Sequence, residues 1–153
     1  MTRMMTNIEK FRALSFARQR IVLKAAILLP FFRSGLHLVG LRRIQGWLGR
    51  ATLPAGAPLS LEEAKDMGNL VNIASRHTLG SVTCLTRSLL LDWMLHRLGV
   101  ASQLRIGVHI TQGALDAHAW VEVAGVPVND QPNIGEQFAP FENIPPPGAF
   151  HSP

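Results

Sequence analysis

Residues 83–100 read TCLTRSLLLDWMLHRLGV. After Cys84 come Leu85, Leu89, Leu90, Leu91, Trp93, Met94, Leu95 and Leu98, apolar on most sides of a helical wheel. That pattern predicts a helix buried almost all round, with Gly99 just past its end as the stop. Such a helix is central, and the other elements must layer around it. Cys84 opens it and is the only cysteine in 153 residues, so it has no partner for an intrachain disulfide. A lone cysteine here has two readings. It is inert core filler, as most free cysteines are, or a thiolate favoured by the amide N–H groups and positive dipole end of a helix start.

Downstream of Gly99 the period changes from helical to alternating. Residues 103–110 (QLRIGVHI) set Leu104, Ile106, Val108 and Ile110 on one face and Arg105 and His109 on the other, which predicts a strand. Residues 111–115 form a turn around Gly113, and 117–123 (AHAWVEV) are a second strand. Ala124 and Gly125 turn the chain into a third, 126–130 (VPVND), which Pro127 restricts to an edge. Residues 131–153 hold six of the ten prolines and show no period, so they are read as an irregular tail.

Upstream, residues 8–48 are helical in pattern, with Pro30 expected to end or kink the first helix near Leu29. The apolar run 21–32 is interrupted by Lys24. It falls short of the roughly 20 residues a membrane span needs, and no small-residue cleavage site marks a secretory signal. Residues 51–58 are a Pro/Gly/Ala loop. Ser60 with Glu63 three residues on is a capping box, and Ala64, Met67, Val71 and Ala74 carry the next helix to about His77. Helices followed by a small antiparallel meander make an α+β fold.

Composition bounds the function. With 47% hydrophobic and 16% charged residues the chain is globular, and its length suits one core. The single cysteine fits a reducing cytoplasm, and no Cys/His set has the spacing of a zinc site, so no metal or other cofactor is expected. Residues 1–50 carry ten of the fifteen Lys/Arg and only Glu9 as an acid, a charge of +9, leaving −4 for the remainder. A basic, apolar arm suits packing on the core and on a partner such as an acidic peptide or, as a lesser reading, an anionic membrane surface. Nucleic acid is not expected, because no binding motif or stacking pattern accompanies the charge.

A cysteine nucleophile needs a base, and the base needs a group that fixes its tautomer. His118 opens the second strand 34 residues after Cys84, and Asp130 ends the third strand 12 residues later. A helix-borne cysteine with His and Asp on neighbouring antiparallel strands is the layout of papain-like and transglutaminase-like sites. The other histidines, His37, His77, His96, His109 and His151, lack a strand-and-acid context. Asp116 competes with Asp130 for His118, but on one strand the two side chains point in parallel about 6.5 Å apart, a poor grip on a ring nitrogen. A two-residue loop at 124–125 in regular register pairs Ala119 with Asp130 and turns Asp130 away. The Asp130 reading therefore predicts an irregular turn, or Asp130 just off the strand end.

The motifs CLTR, LRIGV and AHAWVEVAGVPVND resemble the transglutaminase-like B2 proteins of lasso-peptide biosynthesis, over residues 60–130 and in the same order. Thr86 departs from the proline often found there. The resemblance implies a cysteine protease that cuts the leader from a ribosomally made precursor peptide. It implies Cys84 as nucleophile, His118 as base and then acid, and Asp130 as the orienting group. It also implies two partners, a small leader-recognition protein (the B1 component) and an ATP-dependent cyclase. Arg87, one turn after Cys84, either assists the thiolate or peptide, or meets a carboxylate or solvent. Trp120, on the strand face of His118, shields the site from water or is a core aromatic. The organisation expected is a basic helical region at 1–58 packed on a core at 59–135, with a Pro-rich tail at 136–153, one domain overall. Acyl transfer to an amine and a non-catalytic binding or scaffold subunit remain as alternative functions.

Overall fold

The computed structural model describes residues 12–48, 59–78 and 80–140. The expected start of the first helix at Ile8, the loop at 51–58 and the tail beyond residue 140 lie outside them. The elements are α1 (Phe16–Val39), α2 (Leu41–Leu48), α3 (Leu61–His77), α4 (Cys84–His96), β1 (Ser102–Thr111), β2 (Ala114–Val123), β3 (Val126–Pro127), a short α5 (Ile134–Gln137) and β4 (Ala139–Pro140). The helices lie against a small antiparallel sheet of order β3-β2-β1-β4, an α+β architecture.

α4 is the central helix, with Thr86, Ser88, Leu89, Leu90, Leu91, Met94 and Leu95 all buried. Gly99 ends it with φ 79°, and the Val100 N–H reaches back to the Leu95 carbonyl at 3.0 Å. The core joins Leu90, Leu91, Met94 and Leu95 to Val22, Ala25 and Leu29 of α1, to Met67, Leu70 and Val71 of α3, and to Val121 and Val128. α3 starts as its sequence dictates. The Ser60 hydroxyl accepts the Glu63 N–H, and the Glu63 carboxylate accepts the Ser60 N–H at 2.8 Å. Two hydrogen bonds from Ser60 hold the Glu63 carboxyl below its ordinary range. Arg18 of α1 pairs with Asp66 of α3 on the surface and ties the two helices together.

Three details differ from the sequence reading. Pro30 lies inside α1, which continues to Val39. It occupies an exposed position, and burial of Val22, Ala25 and Leu29 along the opposite side holds the helix through the lost hydrogen bond. The continuous helix is thereby long and apolar enough to cross a membrane by length and composition, with 17% of its apolar window buried. Its exposed residues Phe16, Leu23, Ile27, Phe31 and Leu38 recur at spacings of seven and four, one face of the helix. Second, the β1–β2 turn is only Gln112 and Gly113, both at positive φ, so β2 begins at Ala114. Third, the segment after residue 130 is not wholly irregular. Ala139 and Pro140 pair with Val108 and Gly107 as a fourth strand.

Candidate active site

The β2–β3 turn settles how Asp130 meets His118. Ala124 and Gly125 form a tight two-residue turn with φ 50° and 77°, and Val123 pairs with Val126 and Glu122 with Pro127. The turn is therefore regular, and an irregular one is ruled out. Pairing then stops early. Val128 still donates its N–H to the Val121 carbonyl at 2.9 Å, but the next bond to the Val121 N–H comes from the side chain of Asn129, through Oδ1 at 2.8 Å. Substituting a side chain for the backbone swings the strand out of register. Asp130, just off the strand end, puts Oδ2 2.6 Å from His118 Nε2.

Asn129 is the buried joint of the site. Its amide donates to Ser88 Oγ on α4 at 2.9 Å, and Ser88 Oγ donates to the Ala119 carbonyl on β2 at 2.9 Å. Its own carbonyl accepts from the Asn72 amide on α3. Through its side chain to α4 and β2 and its backbone carbonyl to α3, this one residue ties three elements together next to Asp130. Gly68 of α3 makes room for this strand, because a Cβ there would overlap the Val128 carbonyl.

The same network positions Cys84. Ser88 is bound to the residue that follows His118, and at the far end Ser102 Oγ, opposite Val123 in the ladder, donates to Asp92 Oδ1 at 2.7 Å. α4 and β2 therefore run in the same direction. Cys84 lies one turn ahead of Ser88, about 6 Å back along the helix. On a strand rising about 3.3 Å per residue this is level with Ala117 and His118. Cys84 is half-buried, not sealed in the core, and it makes no hydrogen bond to His118 among the described residues. Thr83 caps α4 by accepting the Thr86 N–H, and the Arg87 N–H bonds the Thr83 carbonyl. The N–H groups of Cys84 and Leu85 are the donors a first helical turn leaves over, and they sit beside the sulfur.

Around His118 the walls are aromatic. Trp120 is 1% exposed and lies nearly parallel to the imidazole, with ring centroids 6.4 Å apart. Its Nε1 donates to Glu122 Oε1 at 2.9 Å, and Glu122 Oε2 accepts from Arg105 Nε at 3.1 Å, so the indole is held on its polar edge. Phe138 covers His118 from the β4 side at 5.2 Å, and a Cβ on Gly107 would come within 2.7 Å of the Phe138 Cβ. The aperiodic tail gave no sign of Phe138, although its spacing of four from the buried Ile134 marks one apolar face of a turn. Asp116 is exposed, stands opposite His109 and makes no hydrogen bond to His118 among the described residues. Arg87 makes no ion pair among the described residues, and its Nε is buried without a hydrogen-bond partner. No group of three or more His, Cys, Asp or Glu able to hold a metal occurs among the described residues.

A thiol at a helix start, and an imidazole anchored through Nε2 so that Nδ1 remains the basic nitrogen, are the parts needed for acyl transfer. The model of the transglutaminase-like superfamily matches residues 25–143. The chain belongs to the transglutaminase-like superfamily. The match spans every element from the middle of α1 to β4, so the basic N-terminal helix is partly inside the family's domain. No curated protein and no solved structure matches the chain. Within this transglutaminase-like domain, Cys84 begins the central helix, His118 lies on β2, and Asp130 follows β3.

Proposed function

We propose that this protein is a cysteine peptidase that removes the leader from a ribosomally synthesised lasso-peptide precursor. The observation that carries the reading is the 2.6 Å contact of His118 Nε2 with Asp130 Oδ2, in a chain whose only cysteine opens the central helix. The superfamily supports thioester chemistry. The motifs CLTR, LRIGV and HAWVEV support the narrower assignment to leader removal.

Asp130 accepts the Nε2–H and leaves Nδ1 to take the Cys84 proton. The thiolate attacks the scissile carbonyl, and the oxyanion that forms is met by the N–H groups of Cys84 and Leu85. The C–N bond breaks as His118 returns its proton to the departing amine of the core peptide. The leader remains as a thioester. Water, deprotonated by His118, attacks the thioester, and the thiolate leaves to regain the proton. Trp120 and Phe138 keep bulk water from the imidazole face.

The leader-recognition protein and the cyclase are the partners this reading assigns. The uncovered apolar face and basic residues of α1 make it the surface we assign to the recognition protein. A catalytic free thiol suits the reducing cytoplasm. The test is mass spectrometry of the precursor incubated with this protein and its recognition partner. Leader and core should appear as separate products, and Cys84→Ala should abolish them. A glutamine-bearing peptide joined to an amine without backbone cleavage would instead establish a transglutaminase, and processing that survives Cys84→Ala would leave a scaffold role.

A further inference from the structure

In an antiparallel ladder each residue directs its N–H and C=O either toward one neighbouring strand or away from it, in alternation. Val121 directs both away from β1, to Asn129 and Val128. β1 and β2 keep an unbroken register from Ser102↔Val123 to Thr111↔Ala114, so Ala119, Ala117 and Leu115 direct theirs to the same edge. The Ala119 carbonyl is taken by Ser88. β3 covers β2 only at Glu122 and Val123. For Ala117 and Leu115, no partner meets the N–H or the C=O among the described residues, and both residues are exposed.

We propose that this edge is the substrate channel: an extended peptide pairs with the main chain of Leu115 and Ala117 as an added strand, and its scissile bond lies beneath Cys84. The proposal rests on the peptidase reading and gives it a substrate geometry. A row of unpaired backbone groups is a template for a further strand, and peptide binding by strand addition draws its affinity from those main-chain bonds. The Ser88–Ala119 bond fixes α4, one turn past Cys84, against this same edge, so a strand laid there runs toward the start of the helix. On the α4-facing side Leu115 is 68% exposed and pairs across the ladder with Ile110, 70% exposed. They form an apolar shelf at the outer end of the channel. On the other side of the sheet stand His109 and Asp116. The ligand is therefore a peptide in β conformation, without proline where it meets Leu115 or Ala117, that lays an apolar side chain on Leu115 and Ile110.

Amide hydrogen exchange on the Cys84→Ala protein tests this, read residue by residue with and without the precursor peptide and its recognition partner. Without peptide, the Leu115 and Ala117 amides should exchange at least about tenfold faster than those of Asp116 and His118, which point to β1. With peptide they should slow by about tenfold or more. Unchanged exchange at both amides overturns the proposal, as does protection that rises with protein concentration alone, which would mean that a second copy pairs on the edge. On the wild-type enzyme, single N-methylation of successive precursor residues should lower kcat/KM at every second position, and Leu115→Asp should raise KM more than it lowers kcat. Cleavage that depends on Cys84 but ignores both changes leaves the peptidase standing and removes the channel.

Discussion

His118 Nε2 meets Asp130 Oδ2 at 2.6 Å although Asp130 stands outside every ladder of the sheet. The contact exists because the strand is released after two paired residues. In a triad the acceptor fixes the imidazole tautomer and stabilises the imidazolium. Asp130→Ala should therefore lower kcat by about 10²–10⁴-fold while the melting temperature changes little. Asp130→Asn keeps an oxygen acceptor for the Nε2–H and should lose less. Steady-state cleavage at neutral pH, with circular dichroism of each variant, checks both.

Asn129 and Ser88 should behave as one unit in unfolding. Each is buried, and each leaves the other's polar atom without its partner when removed. Asn129→Ala should cost about 2–4 kcal/mol and Ser88→Ala about 1–3 kcal/mol. The double variant should cost less than the two together, since the bond the two side chains share is lost only once, although the Ala119 carbonyl and the Val121 N–H each lose a partner as well. Urea unfolding of the four proteins measures the coupling, and strict additivity would separate the two residues.

Much of the site could be read before the structure, and the unread part has a common physical cause. Cys84, His118 and Asp130 sit in elements with strong local patterns: an apolar helix, an alternating strand and a turn. The capping box of Ser60 and Glu63 was equally plain, since it needs only neighbours in sequence. Asn129 was visible beside Asp130, but its role depends on Ser88 and Val121, which no local pattern connects to it. Phe138 and β4 belong to a segment whose structure comes from pairing with β1, and single-sequence periodicity does not register that. Pro30 shows tertiary burial overruling a local breaker, because the buried side of α1 outweighs one missing hydrogen bond.

The turn between β2 and β3 has a correctable weakness. Both its residues need positive φ, and Ala124, at φ 50°, carries a Cβ that disfavours that region by about 1–2 kcal/mol. Asparagine before glycine is the preferred pair for such a turn. Ala124→Asn should raise stability by about 0.5–1 kcal/mol without altering activity, since Ala124 is exposed. Thermal melts and cleavage rates together decide it.

Glu63 supplies an acid-sensitive part of the stability. Its carboxyl is held below the ordinary value of 4.5 by hydrogen bonds from the Ser60 N–H and hydroxyl. A carboxyl depressed in the folded state contributes stability above its unfolded pKa, and that contribution fades as pH falls through the folded one. Wild type should thus exceed Glu63→Gln in urea midpoint at pH 7, and the gap should close below about pH 4. A gap that persists at pH 2 would assign the effect to something other than the carboxylate.

The face of α1 that carries Phe16, Leu23, Ile27, Phe31 and Leu38 also governs how the purified protein behaves. Taken alone, the chain offers water a greasy seam about seven helical turns long, and copies of it will cluster as concentration rises. Light scattering then becomes a readout of companionship. A molecule that sheathes the seam should turn a turbid preparation clear, which lets a partner for this face be sought by solubility, independently of enzymatic activity.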